Sequence, residues 1–151
     1  MPIGFSTGSF TRLGPGLYSV GFDVGFDAAR YATGMEKCCF EFFYVLYTRK
    51  RSIPRNPSTG TGFRDLIGTM AVGSAIIAQV ELAVMHEIMD AEGQVMDNQN
   101  GVVALPDTER LASVAVTHIT VDVAHQRVLV SLRITNAAGK TVGFELPVGT
   151  P

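Results

Sequence analysis

An α+β domain is the fold class this sequence predicts, and three observations predict it. Three C-terminal stretches alternate apolar and polar residues with a period of two: Ile119, Val121 and Val123; Val128, Val130, Leu132 and Ile134; and Val142, Phe144, Leu146 and Val148. Two upstream stretches repeat at helical spacing, Met35, Cys39, Phe42 and Leu46 and then Ile77, Val80, Val84 and Ile88. The helical stretches precede the strands instead of alternating with them, which points away from a parallel α/β arrangement. The expected architecture is two main helices packed on a three-stranded antiparallel meander, with an extended N-terminal arm in front. At 151 residues and 46% hydrophobic content the chain suits one core. We read residues 1–26 as the arm and residues 27–151 as a single domain.

The arm holds six glycines, at positions 4, 8, 14, 16, 21 and 25, among Phe5, Phe10, Leu17, Tyr18, Val20, Phe22 and Phe26. No helical period runs through it, and one short strand is expected around Leu17 to Val20. Asp27 is placed to cap a helix that runs to about Thr48, and Gly34 inside that helix costs about 1 kcal/mol relative to alanine. The next segment, from Thr48 to Phe63, contains Pro54 and Pro57, which exclude a regular helix, and Gly60 and Gly62, which permit positive φ. A specific, turn-rich surface path is expected there. Phe63 to Ile67 reads as a short helical turn, and a central core helix follows from about Met70 to Glu92, with Gly93 as its stop. Asp97 to Gly101 reads as a polar break.

The strand connections Ala124 to Arg127 and Asn136 to Lys140 have hairpin length. Arg127, Leu129, Ser131, Arg133 and Thr135 alternate with the apolar set, so the sheet is expected to bury one face against the helices. The last strand, Val142 to Val148, is expected to leave an open edge, a hazard in a monomer and a place for strand addition by a partner.

Composition excludes several classes of function. A net charge of -2 does not describe a global nucleic-acid binder, but charge is concentrated locally. Five of the twelve basic residues, Arg49, Lys50, Arg51, Arg55 and Arg64, fall within one short stretch. That loop lacks the interleaved aromatics that stack on bases, so acidic groups on a protein partner are its expected target and nucleic acid is not. Only 17% of residues are charged and mean hydropathy is positive, which suits a subunit whose apolar surface is covered by neighbours. Cys38 and Cys39 are adjacent and are the only cysteines, so neither a disulfide framework nor an ordinary zinc site is expected. The N-terminus lacks a leader pattern, and the apolar run from Ala71 to Met89 is interrupted by Gln79, Glu81, His86 and Glu87, so no membrane span is expected.

Catalytic signatures are weak. His86-Glu87 has the start of a zinc-protease helix, but the position four residues after His86 is Asp90, so no metal is expected. His118 and His125 have no cysteine or acidic partner nearby in sequence. The stretches Gly4 to Gly8 and Ser58 to Gly62 lack the terminal Gly-Lys-Ser/Thr of a phosphate loop and read as turns, so no cofactor is expected. A glycosidase needs two carboxyl groups facing each other across a cleft, and Glu41, Glu81 and Glu87 are the candidate buried acids. Each lies on a predicted helix where ion pairing or exposure is the ordinary role. Met70, Met85, Met89 and Met96 read as packing.

Over positions 38 to 148 the chain resembles the baseplate wedge proteins of contractile-tailed phages, a family commonly labelled lysozyme-like, with relatives in type VI secretion baseplates. The features that carry the resemblance are an aromatic, leucine-containing helix ending at Thr48, the Ser52-Ile53-Pro54-Arg55-Asn56-Pro57 turn, Gly60-Thr61-Gly62-Phe63, a long helix, and a meander closing with Phe144-Glu145-Leu146-Pro147-Val148. Family members often carry Glu-Pro-Arg before the first meander strand; here the stretch is Thr108-Glu109-Arg110-Leu111, without the proline. The resemblance implies a non-enzymatic structural subunit of the virion, assembled in the host cytoplasm. It would join other wedge proteins and help connect the baseplate to the tail tube and sheath. The residues expected to meet partners are Arg49, Lys50, Arg51, Pro54, Arg55, Pro57, Gly60, Gly62 and Phe63 of the loop, together with Glu109 and Arg110. The alternatives are a peptidoglycan-cleaving enzyme and a small nucleic-acid-binding module.

Overall fold

The structure, a computed structural model, describes residues 10–14, 17–20, 34–70, 77–122 and 127–149. In chain order the elements are strands β1 (Phe10–Gly14) and β2 (Leu17–Val20), helices α1 (Gly34–Tyr47), α2 (Phe63–Met70) and α3 (Ile77–Asn100), and strands β3 (Leu111–Asp122), β4 (Arg127–Asn136) and β5 (Thr141–Gly149). The fold is α+β, with helices covering one face of an antiparallel β3–β4–β5 meander.

The meander's register follows from its hydrophobic pattern. Val130 stands opposite Leu146, Leu132 opposite Phe144 and Ile134 opposite Val142, and all six side chains are buried. Leu129 and Arg133 are exposed on the other face, as a period of two requires. The turn from β4 to β5 is held by Asn136, whose Oδ1 accepts from the Lys140 N–H at 2.9 Å, and Gly139 supplies a φ of 87° there. Strand β3 starts earlier than the alternation of Ile119 and Val121 indicated. Irregularities between Leu111 and Ser113 and between Val116 and His118 shift its facing pattern twice, which hid the period in its first half.

The arm contributes a hairpin. β1 pairs antiparallel with β2, and β2 pairs parallel with β5, Leu17 opposite Gly143 and Ser19 opposite Glu145. The sheet order is therefore β1-β2-β5-β4-β3. This corrects the expectation of an open edge at the last strand, because β2 of the same chain lies along Gly143 to Glu145. The expected strand at Leu17 to Val20 is present, and β1 was missed although Pro15-Gly16 stands between the two strands as a turn signal.

Helix α1 is buried on almost every side: Met35, Cys38, Cys39, Phe40, Phe42, Phe43, Val45, Leu46 and Tyr47 are all in the core, with Tyr44 exposed. The expected cap at Asp27 lies outside the described residues; α1 begins at Gly34, where φ is 62°. Helix α3 presents Val80, Val84, Ile88, Ala91, Val95 and Gln99 to the core at helical spacing. It runs through Gly93 and the supposed polar break to Asn100, because Val95 and Gln99 continue the buried stripe beyond the glycine. The aromatic rings join the layers. Phe43 meets Phe144 of β5 edge-on at 4.8 Å, and Tyr47 meets Phe63 of α2 at 5.6 Å.

Candidate functional site

The basic loop is closed at its base by its own backbone. The Thr61 N–H donates to the Thr48 carbonyl at 2.8 Å, and Arg49 and Thr61 form an isolated parallel bridge. Thr61 is buried and its hydroxyl donates to the Leu46 carbonyl at 2.7 Å, which ties the loop's return to the last turn of α1. Gly60 has a φ of 116°, and a Cβ there would overlap the Thr48 carbonyl, so the close approach of the two loop ends requires glycine. This is the geometry of a compact Ω-type loop.

One face of α3 holds the loop from beneath. Gln94 clamps Gly60 twice, accepting from its N–H at 2.9 Å and donating to its carbonyl at 2.7 Å. Glu87 Oε2 accepts from the Gly62 N–H at 2.8 Å. Asp90 pairs with Lys50 at 3.2 Å, and Asp65 of α2 pairs with Arg49 at 3.4 Å. Glu87, Asp90 and Gln94 follow at spacings of three and four, so one helix stripe supplies all three contacts. The ion pairs are largely solvated and add little stability, but they occupy two of the loop's cations. Sequence reasoning missed Asp90 and Gln94 and treated Glu87 as a possible catalytic acid. The available signal was the spacing of three and four that places Glu87, Asp90 and Gln94 on one side of the helix.

The tip is shaped by internal turns. The Arg51 N–H donates to the Pro57 carbonyl at 2.9 Å, Asn56 N–H to Ile53, and Thr59 N–H to Asn56. Arg51 itself is left-handed, with a φ of 68°. Arg51, Pro54, Arg55 and Pro57 are exposed, as is Arg64 on the first turn of α2. Arg51, Arg55 and Arg64 make no ion pair among the described residues. The expected docking residues therefore divide. Arg51, Pro54, Arg55 and Pro57 form the presented surface, and Arg49 and Lys50 secure its base. Gly60, Gly62 and Phe63 support it from below: Phe63 is fully buried against Tyr47 and is corrected from a partner contact to an anchor.

Glu109 and Arg110 are corrected in the same way. Glu109 is buried and pairs with Lys37 of α1 at 3.4 Å. The Arg110 guanidinium donates to the carbonyls of Gln99 at 3.2 Å and Val102 at 3.0 Å, satisfying acceptors at the end of α3. Between them sits buried Gln99, which donates to Glu41 Oε2 at 2.7 Å and to the Glu109 carbonyl at 3.2 Å, and accepts from the Leu111 N–H at 2.7 Å. These residues lock the α3–β3 connection to α1 and the sheet.

Of the three acids considered for glycoside cleavage, Glu41 and Glu87 are thus engaged in hydrogen bonds that hold Gln99 and the loop, and Glu81 is half-buried on α3. No group of three His, Cys, Asp or Glu side chains suited to a metal ion occurs among the described residues. Among those residues no helix is long and apolar enough to cross a membrane. Cys38 and Cys39 are buried free thiols; burial pushes the Cys38 thiol up to about 12, with the Glu41 carboxylate adding to the rise, and raises Cys39 as well. The sequence matches no known protein family, and no curated protein matches it.

Proposed function

We propose that this chain is a non-enzymatic structural subunit of a contractile phage-tail baseplate, joining wedge proteins and helping connect the baseplate to tube and sheath. The resemblance across the loop, long helix and meander supports this reading. The observation that carries it is the loop itself: a preorganised basic tip, Arg51 to Pro57, held out from the domain by Gln94 and Glu87. A loop already held in one shape loses little entropy on docking, which suits an attachment surface for acidic groups of a neighbouring subunit. The engagement of Glu41 and Glu87 in structural hydrogen bonds favours this over the peptidoglycan-cleaving alternative. Pairing of Arg49 and Lys50 with internal acids weakens the nucleic-acid alternative, which draws on free cations.

Size exclusion with light scattering on lysate from infected cells tests the reading. The chain is expected to co-migrate with a multi-protein particle, and Arg51→Glu with Arg55→Glu is expected to reduce incorporation at least tenfold while leaving the melting temperature unchanged. A monomer without partners in that lysate overturns the proposal. Clearing of a cell-wall suspension that is lost on Glu41→Gln, Glu81→Gln or Glu87→Gln would put the enzyme in its place.

A further inference from the structure

Helix α3 has a third face that the loop does not use and that meets the core only at its C-terminal end, where Met96 packs against it. Leu82, Met85, Met89, Gly93 and Met96 follow one another at spacings of three, four, four and three, so they lie along a single stripe. Leu82 is 68% exposed, Met89 66% and Met85 42%, and Met96 is half-buried. Isolated apolar side chains on a surface are ordinary, but a continuous row over several helical turns marks a surface that is covered by something else. Gly93 belongs to the same row. A Cβ there would meet nothing within 4 Å, and the backbone is ordinary helix, so nothing among the described residues requires glycine. Glycine costs the helix about 1 kcal/mol relative to alanine. A gap in a ridge of larger side chains is, however, what lets a second helix approach closely.

Charge selects the occupant. From Ile77 to Asn100 the helix contains no Lys or Arg, while Glu81 and Asp97 border the stripe on its two sides. Two copies packed stripe to stripe would bring only acids to the borders of the seam, Glu81 and Asp97 from each, with no Lys or Arg of either α3 to balance them. We propose that this stripe seats an amphipathic helix of a partner protein that carries Lys or Arg on both sides of its apolar seam. The seat is stiff: Gln94, Glu92 and Gln99 tie α3 to the loop, to β3 through the Val114 N–H at 2.6 Å, and to the Leu111 N–H. A matching helix of roughly 15 residues would run about 22 Å along it. This surface is separate from the basic tip and does not depend on it.

A photo-cross-linking amino acid placed at Met89, with exposed Thr117 of β3 as the control position, tests the proposal in the cells that produce the chain, with mass spectrometry of the joined peptides. Position 89 is expected to join a helical peptide of another protein with basic residues flanking its apolar positions, and position 117 is not. Glu81→Lys with Asp97→Lys is expected to lower the yield at least fivefold at an unchanged melting temperature. If that pair alters the melting temperature, Glu81→Gln with Asp97→Asn is read instead and is expected to lower the yield at least twofold. Joining to a second copy, to residues 21–33 of the same chain, to lipid, or to a peptide without basic flanks overturns the proposal. So does a yield no greater than at position 117, or one that charge substitution leaves unchanged. Because the joined peptide is identified directly, failure here is separable from failure of the chain to enter a particle.

Discussion

Gln99 carries more of the architecture than its chemistry suggests. Its amide bonds to Glu41 of α1, to the Glu109 carbonyl and to the first N–H of β3, and its backbone carbonyl receives Arg110. Removing the side chain leaves the buried Leu111 N–H unpaired and loosens the Glu41 carboxylate. An unpaired buried group costs about 1–3 kcal/mol, and a cavity adds to it. Gln99→Ala is therefore expected to lower unfolding free energy by roughly 3 kcal/mol in urea titration. A loss below about 1 kcal/mol would mean that water substitutes for the amide. Gly60 is constrained by backbone alone, since both its positive φ and its approach to Thr48 exclude a side chain.

The loop and the helix that holds it form the element on which docking would depend. Gln94→Ala removes both bonds to Gly60 while leaving Arg51 and Arg55 in place. Limited trypsin digestion is expected to cut after Arg51 or Arg55 at least fivefold faster in this variant, with little change in global stability; an unchanged rate would show that the loop's own turns suffice. Much at this scale was legible beforehand. The meander and the buried stripes of α1 and α3 follow directly from apolar spacing, because burial of one face imposes the period. The path of the loop was legible from Pro54 and Pro57, which restrict φ, and from Gly60, which permits the positive φ found there. What holds it was not, because Gln94 and Asp90 look like any surface residues until the chain places them under Gly60 and Lys50. Glu109 and Arg110 were expected to meet partners, and what they meet within the chain, Lys37 and the end of α3, are contacts that sequence spacing does not reveal. Gly93 misled in the other direction, since burial of Val95 and Gln99 outweighs the local cost of glycine.

Across the whole molecule, the core buries two thiols in an environment that disfavours charge. Folded-state values for Cys38 and Cys39 lie above the ordinary 9.0, and burial raises Tyr47 above its ordinary 10.0. Below pH 9 these groups are neutral in both folded and unfolded chains, and their contribution to stability is fully present. As pH rises from 9 towards 12 the unfolded chain loses thiol protons first, so stability falls, by up to about 1.4 kcal/mol per pH unit for each thiol. Urea midpoints are expected to stay level near neutrality and to drop above pH 9, and a thiol reagent at pH 8 is expected to label neither cysteine until the chain unfolds. Rapid labelling of the native protein would contradict the burial of α1. The parallel pairing of β2 with β5 also has a temporal side. Leu17 emerges from the ribosome long before Gly143, its partner, exists. The sheet therefore cannot close until β5 has been made, and the β1–β2 hairpin must wait for that strand before it can join the meander. Contacts so distant in sequence slow folding, so the pairing of Leu17 with Gly143 comes late in folding.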